Sequence, residues 1–158
     1  MALAPRAGIW QPAGVTSVDD LTGPHAAAAA HVLACSEFVA GSLQRDATLL
    51  DDLLARAALD AVRGERGASC WPGGQAPDLA ADEAAFQSWL RRWRRREMVR
   101  IAWRDLGGIA PLESTLEDLS AFADDAIGLA YEHAWRTTTA RYGTPRRPDG
   151  APMPMVVV

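Results

Sequence analysis

The sequence predicts a mainly α fold of about four helices that ends in a β-strand. Three observations point to it. Apolar residues recur at steps of three and four along most of the chain, clusters of Gly and Pro punctuate that pattern, and the last residues change to a continuous β-branched run.

Residues 1–23 carry Pro5, Gly8, Pro12, Gly14 and Gly23 and read as a loose N-terminal segment. Pro24 suits a first helical position, where its missing N–H would have had no partner. From His25 to about Arg45, Ala28, Val32, Cys35, Val39 and Leu43 keep helical spacing and predict one helix, weakened near its end by Gly41. Asp46 is the expected N-cap of a second helix, DATLLDDLLARAALDAV, with Leu49, Leu53, Ala57 and Leu59 or Ala61 inward. Residues 63–77 hold four glycines and two prolines and predict a loop. A third helix starts at Asp82 or Asp78 and reaches Leu106, burying Phe86, Leu90, Trp93 and Ile101. Gly107 and Gly108 end it, and Pro111 opens a fourth. That helix has the cleanest stripe in the sequence: Leu112, Leu116, Leu119, Ala123, Ala126 or Ile127, Ala130 and Ala134. Gly143, Pro145 and Pro148 stop it. The closing MPMVVV has the pattern of a strand buried on both faces, and it predicts a chain that stops inside an element, with Val158 a truncation. The expected organisation is a loose segment over 1–23, a helical domain over 24–152, and the start of a sheet over 153–158.

The 158 residues suffice for one domain with a core, and 49% hydrophobic with 23% charged residues is ordinary globular composition. The net charge of −4 argues against general polyanion binding. All 16 cationic side chains are Arg, so Schiff-base chemistry and a phosphate-loop lysine are excluded within this chain. Cys35 and Cys70 share no metal-type spacing and make no disulfide framework, which predicts a reducing, cytoplasmic setting. No signal peptide is legible, and the apolar run from Ala26 to Cys35 is far shorter than the roughly 20 residues of a membrane span.

The strongest local signal is RRWRRREMVRIAWRDL, with Arg91, Arg92, Arg94, Arg95, Arg96, Arg100 and Arg104 interleaved with Trp93 and Trp103. Arginine and aromatic residues together suit nucleic acid, by phosphate contact and stacking. The bland reading is a solvated or internally paired face. Arg92, Arg96, Arg100 and Arg104 are four apart and could meet Asp118 or Asp124 on the next helix, and that reading is preferred. Glu97, set among arginines, reads as an ion-pair organiser rather than a general base. His31 and Cys35 are four apart on one helix face, the geometry of a Cys–His pair or half a metal site, but no second ligand pair supports them, and a helical Cys is commonly a small core residue. His133 reads as a packing or solvated residue, and adjacent Asp124 and Asp125 diverge too far to share a metal. Of six tryptophans, Trp89, Trp93, Trp103 and Trp135 read as packing anchors, while Trp10 and Trp71 fall in loops that cap the core or lie exposed. No catalytic, cofactor-binding or metal-binding residue is assigned.

The helix RRWRRREMVRIAWRDLGG closely resembles the arginine-rich "RRREMxRIAWRDL" helix of the bifunctional glutamine synthetase adenylyltransferase and adenylyl-removing family. HVLACSEFVAGSLQRDATLL, PLESTLEDLSAFADDAI and ARYGTPRRPDG resemble further blocks of that family in the same order. MPMVVV takes the place of the first strand of its nucleotidyltransferase sheet. The likeness covers nearly the whole chain from about residue 29; residues 1–23 match no block of the family. In the family a glycine-rich turn with Lys and a Ser-Asp-x-Asp stretch follow that strand and hold the catalytic magnesium ions. Both lie beyond residue 158, so no catalytic residue is carried onto this chain.

The resemblance implies that this is the N-terminal, helical part of the adenylyl-removing half. Its parent adds and removes an adenylyl group on a tyrosine of glutamine synthetase, with ATP and magnesium for addition and phosphate for removal. A PII-type signalling protein is the implied regulator, and neither a membrane nor a nucleic acid is expected as partner. The alternative is a stand-alone helical interaction module that binds RNA through residues 91–104.

Overall fold

The computed structural model describes residues 21–55, 57–61 and 71–153. Among them are five α-helices: α1 (Gly23–Cys35), α2 (Glu37–Arg45), α3 (Thr48–Ala55), α4 (Glu83–Leu106) and α5 (Leu112–Tyr142). The expected helical character holds. The expected loose segment lies almost wholly outside the described residues, as does most of the 63–77 loop. The expected strand does too: only Met153 of it is described, and it belongs to no strand. The extended pairing among the described residues is one isolated antiparallel bridge, Arg146 with Pro152.

The single helix expected over residues 25–45 is two helices, bent by 107° at their junction. Ser36 makes the break. Its backbone is extended (φ −136°, ψ 98°) and its hydroxyl accepts from the Val39 N–H at 3.2 Å, capping α2, whose first turn carries Glu37. The bend keeps Val32 and Val39 fully buried while leaving Cys35, expected inward, exposed.

The second expected helix also ends early, at Ala55 rather than near residue 62. Ala57 adopts φ +48°, its N–H bonds to Leu54 O at 3.0 Å, and the Ala58 N–H bonds to Leu53 O at 2.9 Å. These two bonds form a Schellman stop, with alanine where glycine is usual. The left-handed backbone costs an alanine about 1–2 kcal/mol. Ala57→Gly is therefore expected to stabilise the chain by up to about 1 kcal/mol, part of the relief being offset by glycine's greater freedom when unfolded. A rise in the urea midpoint at unchanged slope is the measurement; a fall would contradict the assigned conformation.

Asp82, the nearer of the two candidate caps, accepts from the Ala85 N–H at 2.8 Å and starts α4. The helix ends on the expected glycines: Gly108 takes φ +65° and the Ile109 N–H returns to Arg104 O at 2.8 Å. Gly107 lies so close to α1 that an added Cβ would stand 3.0 Å from the Ala28 Cβ and 2.6 Å from Trp103 O. Helix α4 is the axis of the fold and packs against α1, α2, α3 and α5. One core joins Val32, Val39, Leu53, Leu59, Val99 and Trp103 across α1–α4 and the turn after α3.

The side of α5 that packs inward is not the one its apolar periodicity selects. Ser114, Thr115, Asp118, Phe122 and His133 are buried, whereas Leu112, Leu116, Leu119, Ala123, Ile127 and Ala134 are exposed. A chemically specific lock fixes the orientation: Asp118 meets arginines of α4, and Phe122 lies edge-on to Trp93 at 4.9 Å.

Candidate functional site

The arginine-rich helix supplies the most unusual chemistry in the fold. Arg96, Glu97 and Arg100 are almost wholly removed from solvent, and Arg104 and Asp118 nearly so. Burying an unpaired charge is prohibitive, so such groups persist only in close, directed pairs. The pairs are present. Arg96 Nε donates to Asp52 Oδ2 on α3, and Arg96 Nη1 donates to Glu97 Oε1 at 2.9 Å. Glu97 Oε2 accepts from Arg100 Nε at 3.2 Å. Arg100 Nη2 stands 2.7 Å from Asp118 Oδ2 on α5, and Arg104 Nε stands 3.9 Å from the same oxygen. Arg100 Nη1 also donates to Ala61 O at 3.4 Å, and Arg104 Nη1 to Leu59 O at 3.3 Å.

Three guanidiniums thus face three carboxylates, and the network ties α3, the turn after it, α4 and α5 into one unit. Glu97 is saturated by two arginines and closed to solvent, which removes it as a general base and confirms it as an ion-pair organiser. Asp118 is one of the two partners expected for the arginine face; Asp124, the other, is exposed. Asp52 was not anticipated. Its only trace in the sequence is an acidic pair, Asp51–Asp52, wedged between leucines that are themselves buried. Arg92 is in helical register with Arg96 but is exposed, as are Arg91 and Arg94, while Arg95 is half-buried.

An aromatic cluster continues the α4–α5 contact. Trp93 is fully buried, with ring centroids 5.2 Å from Trp71, 5.3 Å from Trp89 and 4.9 Å from Phe122. Trp71, one of the two loop tryptophans, therefore caps the core; Trp10 lies outside the described residues. His133 stacks on Phe86 at 4.0 Å, with its Nδ1 3.2 Å from Leu79 O, and serves packing. Trp103 is buried with no partner for its indole N–H among the described residues.

His31 and Cys35 do meet, with Sγ 3.6 Å from Nε2 and 3.7 Å from Nδ1, on an exposed face. No group of three metal-competent side chains occurs among the described residues. The arrangement as a whole can hold helices in register, while the surfaces that the RNA-binding alternative would need at Arg96, Arg100 and Arg104 are turned into the protein.

Comparison with known proteins bears on what such a unit serves. The family model described as glutamate-ammonia ligase adenylyltransferase matches residues 26–158. The bifunctional glutamine synthetase adenylyltransferase/adenylyl-removing enzyme of Pseudomonas aeruginosa is 40% identical over 134 residues, which is 80% of this chain and 13% of that protein. The enzyme of the same name from Methylococcus capsulatus is 33% identical over 127 residues, again 80% of this chain and 13% of the relative. That from Thioalkalivibrio sulfidiphilus is 46% identical over 79 residues, 50% of this chain and 8% of the relative. The chain thus spans about an eighth of the length of the first two relatives. No solved structure matches it.

Proposed function

The chain belongs to the glutamate-ammonia ligase adenylyltransferase family, and from that premise we propose that it is the helical front of the adenylyl-removing half of an enzyme that controls glutamine synthetase. Glutamate-ammonia ligase is the systematic name of glutamine synthetase. In this reading the parent protein attaches an adenylyl group from ATP to a tyrosine of the synthetase and removes it again with phosphate. Magnesium ions serve both directions, a PII-type protein regulates them, and the setting is the cytoplasm. The observation that carries the proposal is the family match over residues 26–158, which includes the arginine-rich helix.

The role of this segment is mechanical. Phosphoryl and nucleotidyl transfer depend chiefly on positioning and on metal neutralisation of charge, so a rigid scaffold beside the catalytic sheet has direct value. The buried arginine–carboxylate network provides that rigidity, because breaking any one pair would strand a charge in the core. Magnesium and nucleotide would be held by aspartates and a glycine-rich turn of the longer protein, outside this chain.

The reading predicts that the 158-residue chain alone neither adenylylates nor deadenylylates. Incubated with ATP, magnesium and glutamine synthetase, it should leave the synthetase mass unchanged. Incubated with phosphate and adenylylated synthetase, it should release no ADP. Transfer above a mock preparation would sink the scaffold assignment. The same chain joined to the downstream polypeptide of the Pseudomonas aeruginosa relative should release ADP, and failure of that fusion to act on the synthetase would count against the adenylyl-removing reading.

A further inference from the structure

The first half of α4 breaks a rule that its second half keeps. In the second half each arginine meets a carboxylate: Arg96 meets Asp52 and Glu97, Arg100 meets Glu97 and Asp118, and Arg104 approaches Asp118. In the first half Arg91, Arg92, Arg94 and Arg95 place four guanidiniums within five residues, with no acidic residue among them. Arg91, Arg92 and Arg94 are exposed and Arg95 is half-buried, and none of the four pairs with a carboxylate among the described residues. Arg91 is three residues from Arg94 and four from Arg95, so these three side chains crowd one side of the helix, where like charges repel. Exposed helical arginine is treated otherwise on α5, where Arg136 Nη2 stands 2.6 Å from Glu132 Oε1 one turn away.

A local pattern that works against its own helix and has no compensating contact marks a surface kept for something outside the fold. Its charge calls for an anion, and its surroundings decide the class. Nucleic acid is held by cations together with aromatic rings on which bases stack. The tryptophans of α4 are engaged inside: Trp93 and Trp103 are fully buried, and Trp89 lies against Trp71 and Trp93, with ring centroids 5.8 and 5.3 Å away. From Arg91 to Arg95 the helix rises only about 6 Å, room for roughly two phosphates of a strand. Beyond that stretch the chain is acidic, with 20 Asp and Glu against 16 Arg, which repels a longer polyanion. Guanidinium forks a helical turn apart fit carboxylates instead, each accepting two parallel N–H···O bonds.

We infer that Arg91, Arg94 and Arg95 form a docking surface for an acidic segment of a partner protein, one that presents carboxylates about a helical turn apart. This docking does not depend on the proposed function, because the geometry of α4 alone supports it. Fluorescence anisotropy of the 158-residue chain with labelled octaglutamate as the probe measures it, at about 10 mM salt, where the Debye length is about 30 Å. Arg91→Gln, Arg94→Gln and Arg95→Gln together should weaken binding at least about tenfold. Arg45→Gln, Arg141→Gln and Arg147→Gln remove the same charge from exposed positions elsewhere and should weaken it less than about threefold.

Octauridylate, of similar length and charge, should bind more weakly than octaglutamate, for want of a stacking platform. The α4 triple variant should keep its helix content, since Gln is a good helix former, and its urea midpoint should stay level or rise as like-charge repulsion is relieved. No binding of octaglutamate, or equal weakening by the two triple variants, overturns the inference by reducing the patch to overall charge. Tighter binding of octauridylate overturns it by assigning the patch to nucleic acid. A fall in the urea midpoint of the α4 variant does so by showing that these guanidiniums serve the fold.

Discussion

Glu97→Gln is expected to destabilise the chain by about 3–5 kcal/mol, the cost of breaking a buried ion pair. The substitution preserves shape and removes one charge. Both oxygens of Glu97 accept from guanidiniums, Arg96 Nη1 at 2.9 Å and Arg100 Nε at 3.2 Å, and all three side chains are buried. Gln would leave three buried cations facing two carboxylates, and its amide NH2 would point a donor at a donor. Urea unfolding monitored by circular dichroism measures the change. Arg94→Ala, on the exposed side of the same helix, is the control and should cost less than about 1 kcal/mol. Because the network is shielded from solvent, raising the salt concentration should leave the Glu97→Gln deficit largely in place. A deficit below about 1 kcal/mol would mean that the pair is hydrated and the helix face open, contrary to a buried network.

Much of this site was legible in the sequence. The four-residue spacing of the arginines, the carboxylate among them and the acidic residue at 118 together indicated internal pairing, and the structure realises it through Asp118. The ends of α4 were also legible, because Asp82, Gly107 and Gly108 act within a turn of their own positions. Local chemistry of that kind needs no knowledge of the rest of the fold.

What periodicity could not reveal was which side of a helix meets its neighbour. On α5 the apolar stripe is real, but the packed side is the one bearing Asp118 and Phe122, whose partners are fixed on α4. A hydrophobic stripe identifies a surface that prefers burial, and it does not identify the surface this segment buries. The break at Ser36 was missed for a related reason: helical spacing runs through it, while the hydroxyl that caps Val39 makes a better start for α2 than a continuation of α1. The stop after α3 carried no signal at all, since alanine at Ala57 has no preference for the left-handed backbone it adopts. Asp52 was invisible because its partner Arg96 lies 44 residues away.

Trp93→Ala is expected to cost about 3–5 kcal/mol, as for deletion of a large, fully buried aromatic side chain. The argument is one of position as well as size. Trp93 touches Trp71 from the preceding loop, Trp89 one turn before it on α4, and Phe122 on α5. Its loss would therefore open a cavity where three segments meet, and no single neighbour could refill it without leaving its own contacts. Phe122 is four residues beyond Asp118 on α5, so Trp93 and the Arg100–Asp118 pair are successive clamps on one helix–helix contact. Removal of either should loosen the other, and the double substitution Trp93→Ala with Asp118→Asn should depart from additivity by at least about 0.5 kcal/mol. The readouts are urea unfolding and tryptophan emission, which should shift to longer wavelength as Trp71 and Trp89 gain contact with water. A loss below about 1 kcal/mol, or strict additivity with Asp118→Asn, would show that the two clamps do not share the α4–α5 contact.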